Sequence, residues 1–166
     1  MLTADQLLFG FTLVAALGCG LIAGVFFAFS AFVMKALFRL PAKVGIAAMQ
    51  SINVVVLNPW FLGVFFGTAV ACAAVLAWSL VRWPAPGSAY LLVGGVLYLS
   101  GTLLVTIVCN VPRNVSLAAI APDDSSAESH WADYVNSWTI WNHARTLAAL
   151  LASILFVLAL GRGLMH

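Results

Sequence analysis

From Leu7 to Met34 the chain runs without one charged side chain, and Asn58 to Val81, Ser88 to Pro112 and Thr146 to Gly161 are equally free of charge. This blocky absence of charge constrains the fold more than any other feature. About 20 apolar residues suffice to cross the hydrocarbon of a bilayer as a helix. In that medium every backbone N–H and C=O must be paired within the protein, which leaves helices or a closed barrel. Runs this long fit helices. Charged residues make up only 7% of the 166, against about a quarter in soluble domains, and mean hydropathy is +1.09. So few charges cannot clothe a water-exposed surface.

The reading is an all-α integral membrane four-helix bundle, a single domain over 1–166, with a short extra helix between spans one and two. The spans fall at about 5–37, 58–81, 88–111 and 138–160. Pro41 separates the first span from the extra helix, which carries Gln50 and Asn53. Arg82-Trp83-Pro84-Ala85-Pro86-Gly87 is a breaker-rich turn. Pro112 is expected to end span three. The stretch 113–137 is the one polar connection, holding Asp123, Asp124, Glu128 and Asp133. The N-terminus lacks the basic segment of a signal peptide, so the first apolar run reads as a permanent span. Gly20 and Gly24, and Gly63 and Gly67, have the small-xxx-small spacing that lets helices approach in lipid. Self-association into a homo-oligomer stays open.

Orientation follows from basic residues in the short connections. Lys35, Arg39, Lys43 and Arg113 lie on the side of the first and third connections, and Arg82 and Arg162 on the other. The larger group favours a cytoplasmic first and third connection, with both termini non-cytoplasmic. Lys35, Arg39 and Lys43 read as topology determinants or headgroup contacts, and the tryptophans as interfacial belts.

Several chemistries find no footing in the sequence. No basic block suggests nucleic acid. Cys19, Cys72 and Cys109 lie in apolar runs without metal or disulfide spacing and read as core residues. Metal: none is expected, since the histidines are scattered and no acid lies within a span beyond Asp5. Haem would need two embedded histidines, and only His143 qualifies. There is no phosphate-binding glycine loop and no nucleophile elbow. Proton-coupled transport would want a carboxylate at mid-span.

The embedded polar residues fall in three groups: Gln50, Asn53 and Asn58; Asn110, Arg113 and Asn114; and Asn136, Asn142, His143 and Arg145. With four spans, all three groups come to one membrane face. Polar groups in hydrocarbon are costly unless paired or facing a wet cavity, so the cluster marks a pocket mouth. Trp138, Asn142, Arg145 and Ala149 form one helical stripe, and His143 is off it. Plainer roles are available. Asn58 before Pro59 is a good N-cap, Asn110 could cap the end of span three, and Arg145 could snorkel to the interface.

Gly24-Val25-Phe26-Phe27-Ala28-Phe29-Ser30, Met49-Gln50-Ser51-Ile52-Asn53, Asn58-Pro59-Trp60-Phe61, Asn110-Val111-Pro112-Arg113-Asn114 and Trp138-Thr139-Ile140-Trp141-Asn142-His143-Ala144-Arg145-Thr146 occur in that order. The set resembles the anthrone oxygenase-like family of small four-span membrane proteins. One departure is Arg113, where the resemblance leads one to expect leucine, which adds a charge beside the pocket and bears on the substrate. The resemblance implies oxidation of an anthrone methylene to a quinone carbonyl with O₂, without metal, haem or flavin, so no cofactor. The partners are then the lipid bilayer, a lipophilic aromatic small molecule and O₂. Such a methylene loses a proton readily, and the anion can reduce O₂ directly. A base, oxyanion donors and an apolar slot would serve that reaction.

On this reading His143 is the base, Arg145 and Asn142 stabilise the enolate oxygen, and Gln50, Asn53, Asn58, Asn110 and Asn114 contact substrate, with Trp138 stacking on it. If His143 and Arg145 cannot border one pocket, His143 is structural and Arg145 carries the chemistry. A non-catalytic module that binds a lipid or quinone, or assembles with another protein, and a small transporter are the alternatives.

Overall fold

The computed structural model describes residues 3–121, 124 and 126–163. Asp123 and His166 lie outside the described residues. Among those described there are five helices and no strands: α1 Ala4–Phe38, α2 Ala42–Val55, α3 Pro59–Val81, α4 Ser88–Ala118 and α5 Ala127–Gly163. All but α2 are long and apolar enough to cross a bilayer, so the chain is a multi-pass membrane protein. Helix α1 packs on α3 and α5, and α4 also packs on α3 and α5. The four spans thus form a closed ring, with both ends of the chain on the same face.

Local chemistry sets the helix ends. Thr3 and Gln6 form a reciprocal capping box at α1, Gln6 N–H donating to Thr3 Oγ1 and Thr3 N–H to Gln6 Oε1. Asn58 caps α3 by accepting from Phe61 N–H at 3.0 Å, with Pro59 in the first turn. The turn before α4 closes on Gly87 at φ 84°, a left-handed conformation that glycine adopts without steric cost.

Two boundaries differ from those read in the sequence. Helix α4 does not stop at Pro112 but continues to Ala118. Proline removes one N–H and crowds the preceding turn. Here Thr106–Asn110, immediately before it, takes the wider π-helical step, so the ladder is already opened where proline would break it. Helix α5 begins at Ala127, about three turns before the expected start at 138. Most of the stretch read as a polar connection is therefore helix.

The spare length has a purpose. At 1.5 Å per residue α5 is roughly 55 Å long and α1 roughly 50 Å, against a hydrocarbon thickness of about 30 Å. Their projecting ends, α2 and the last turns of α4 assemble a second core of Met34, Ile46, Met49, Leu117, Ala127, Trp131, Tyr134 and Trp138. The first core lies among the spans, where Ile22, Cys19, Cys72, Val75, Tyr98, Ala149 and Phe156 are fully enclosed. Gln50 fastens cap to bundle by donating from Nε2 to the carbonyls of Leu117 (2.9 Å) and Ile120 (3.1 Å), at and just beyond the end of α4.

Of the two glycine pairs only Gly20 lies close to another helix, its Cβ position 3.3 Å from Ser153 Oγ of α5. Nothing lies within 4 Å of where a Cβ would stand at Gly24, Gly63 or Gly67. The closest approach is at Gly18, where that Cβ would sit 2.0 Å from Thr68 Oγ1 of α3. Trp60 and Trp83 are exposed as interfacial residues should be, but Trp131 and Trp138 are buried in the second core.

Candidate active site

The stripe read from spacing is real: Trp138, Asn142, Arg145 and Ala149 are all buried, Asn142 completely. Asn142 is the hub. Its Nδ2 donates to the Phe26 carbonyl (2.7 Å) and to Ser30 Oγ (2.6 Å) on α1, and its Oδ1 accepts from Arg145 Nη2 (2.6 Å). The α1 ladder turns π-helical from Phe29, next to the carbonyl that Asn142 engages. On the other flank α4 also runs in π-helical steps. There Thr102 Oγ1 donates to the Arg145 carbonyl (3.4 Å), and Asn110 Nδ2 to that of Trp138 (3.3 Å). Polar side chains that bond across to neighbouring backbone disturb regular helix steps, and all three π-helical segments pack on α5.

Arg145 is 4% exposed. Nη1 donates to Thr106 Oγ1 at 3.2 Å, and the guanidinium lies 4.1 Å from the Phe26 ring centroid and 5.1 Å from that of Trp138. Cation–π contact offsets part of the cost of burying a charge. No carboxylate does so among the described residues, because Asp5, Asp124, Glu128 and Asp133 are all exposed. Nε of Arg145 has no acceptor.

This guanidinium borders a cavity of about 410 Å³ between α1, α2, α3, α4 and α5, within the range of small-molecule sites. The walls are mostly aromatic and aliphatic, with Phe26, Phe29, Phe61 and Phe65 among them. Polar groups on the wall are few: Gln50, Asn53, Thr106, Asn114, Trp138 and Arg145. Asn114 Oδ1 accepts from Trp138 Nε1 (2.9 Å) and Tyr134 O–H (3.0 Å), which fixes the Trp138 ring. Asn53 Nδ2 is buried without a partner. The two unsatisfied buried polar groups on the wall, Asn53 Nδ2 and Arg145 Nε, are both donors. Leaving a buried donor unmade costs about 1–3 kcal/mol.

Of the nine residues proposed from sequence, Gln50, Asn53, Asn114, Trp138 and Arg145 line this cavity. Asn142 stands behind Arg145 and holds it. Asn58 is committed to its cap, and Asn110, 1% exposed, is turned to the Trp138 backbone. His143 is exposed and lines a different groove, between α1 and the opposite side of α5. Arg113 is not on the cavity wall: it donates to the Cys109 carbonyl (2.6 Å) and lies over Trp141. Its charge therefore does not enter the pocket. Thr106 and Tyr134 escaped the sequence reading. Thr106 stands in an apolar run and Tyr134 in the stretch read as a connection, and the contacts of both to the site exist only between helices.

A ring of four spans around an apolar cavity with a few polar side chains on its wall defines the class: a small multi-pass membrane protein with an enclosed pocket. The family model for anthrone oxygenase matches residues 60–155, more than half of the chain, and the chain belongs to that family. No curated protein and no solved structure matches it.

Proposed function

We propose that the protein is a cofactor-independent oxygenase that converts an anthrone-like or phenolic polycyclic substrate to a quinone with O₂. The observation that carries this reading is the buried Arg145 guanidinium, without a counter-charge among the described residues, at the wall of an aromatic-lined cavity. An enolate or phenolate oxygen supplies what that site lacks: negative charge and acceptors for Arg145 Nε and Asn53 Nδ2. The flat rings occupy the phenylalanine-lined volume, against Trp138.

The reaction is balanced as ArCH₂Ar + O₂ → ArC(O)Ar + H₂O. Loss of a methylene proton gives the delocalised enolate, whose oxygen Arg145 stabilises in a water-poor site where such contacts are strong. The enolate passes one electron to O₂, the radical pair joins at the methylene carbon, and the resulting peroxide anion takes a proton back from interfacial water and loses water to leave the carbonyl. No imidazole or carboxylate lines the cavity. The substrate therefore ionises as it enters, its proton leaving to interfacial water, and Arg145 favours the ionised form. His143 has no place in this scheme. The proposed orientation puts the cavity face and the first and third connections on the cytoplasmic side.

The test is turnover of emodin anthrone by purified protein under air and under argon, followed by quinone absorbance. Oxygen-dependent quinone formation well above autoxidation is expected. Formation no faster than autoxidation, with the anthrone nonetheless bound, would favour a non-catalytic binding module instead.

A further inference from the structure

On the other side of α5 lies a groove of about 260 Å³ between α5 and the end of α1. Its polar wall is Ser30, Lys35, Asn136, Thr139 and His143. All five can donate hydrogen bonds, and among the described residues no carboxylate lines the groove. Ser30 Oγ accepts from Asn142, which leaves its own proton to donate. Thr139 Oγ1 is buried with no partner at all. Asp133, one turn before Asn136 on α5, is exposed and does not line the groove.

The groove has a direction. Lys35 and Asn136 stand at its outer end, where α1 and α5 project from the bundle. Ser30 stands about one and a half turns deeper on α1 and His143 about two turns deeper on α5. Beyond His143 the same side of α5 continues as exposed Leu147, Leu151, Ile154 and Leu158. Donors and positive charge at the interface, leading onto an apolar track of bilayer depth, match an anionic headgroup with its acyl chain. Hydrocarbon alone would leave Thr139 and His143 without acceptors, which is costly.

We infer that this groove binds the phosphate of an anionic phospholipid, held by Lys35, Thr139 and His143, with an acyl chain laid along Leu147 to Leu158. A free phosphate would meet the same donors but would have no use for the apolar track.

The test uses the purified full chain in detergent. Its thermal unfolding is followed against phosphatidylglycerol, phosphatidylcholine of the same acyl chains, and inorganic phosphate. Phosphatidylglycerol is expected to raise the midpoint at a concentration about fivefold or more below that needed of phosphatidylcholine, since one basic residue near an anionic surface contributes about that factor. Lys35→Gln with His143→Gln should remove the preference without changing the lipid-free midpoint, because both side chains are exposed. Lys35→Arg should keep it. Equal response to the two lipids, or a preference surviving in the double variant, overturns the site. Stabilisation by inorganic phosphate to the same degree overturns the lipid as its source.

Discussion

Arg145 and His143 stand two residues apart on α5 and end in different media. Arg145 is enclosed between α1, α4 and α5, tied to Asn142 and Thr106 and stacked on two aromatic rings. His143 faces outward, beside Lys35 and Asn136. A two-residue step turns about 200° around a helix, so the two basic groups point to nearly opposite sides. The comparison teaches that a helix through the middle of a membrane bundle can serve two ligand surfaces at once. A charge held inside must be positioned by partners, while a charge on the outside can be met by headgroups.

Breaking the inner side should have the largest effect. Arg145→Ala is expected to lower anthrone turnover by about 10²–10³-fold, the scale of losing one oxyanion donor. Arg145→Lys should fall between, keeping the charge but not the simultaneous hold on Thr106 and Asn142. An alanine variant with wild-type turnover would refute the site. Asn142→Leu comes next, because it strands the Phe26 carbonyl, Ser30 and Arg145 Nη2. Denaturant unfolding should show a loss of about 1–3 kcal/mol, and turnover should drop because Arg145 is no longer held. Trp138→Phe keeps a ring but loses the bond to Asn114. A rise in KM of about fivefold is expected from one such bond, with kcat less affected.

The outer side and the helix ends sharpen the contrast through small effects. Asn58→Ala should cost about 1 kcal/mol of stability, the value of an N-cap, with turnover per folded molecule unchanged. His143→Ala should leave turnover within about twofold, as exposed substitutions usually do. A large loss of activity there would place a proton path through the outer groove and undo the division between the two sides.

The fold was largely legible. Charge-free runs longer than a bilayer, the Pro41 break and the Arg82–Gly87 turn gave the number of spans and located α1, α2, α3 and the start of α4 within a few residues. Pro112 misled because proline is a local signal, and the π-helical steps before it depend on α4 lying against α5. The start of α5 was missed because Trp131 and Tyr134 are buried by the second core, which no local window reveals. Five of the nine proposed site residues reached the cavity wall. The other four separate on facts of direction and partnership: Asn58 to its cap, Asn110 to a carbonyl, Asn142 to Arg145, and His143 to the far side.

By itself the sequence determined the solvent, the number of spans, the face at which polar residues gather, and the stripe that places Arg145 inward. These follow from composition and helical period, which act residue by residue. Tertiary structure alone decided that α2 closes a cavity, that Arg145 is left without a counter-charge among the described residues, and that His143 is excluded. Those outcomes depend on which side chains from separate helices arrive at one point, and on how far the cost of each buried polar group is offset once they are there.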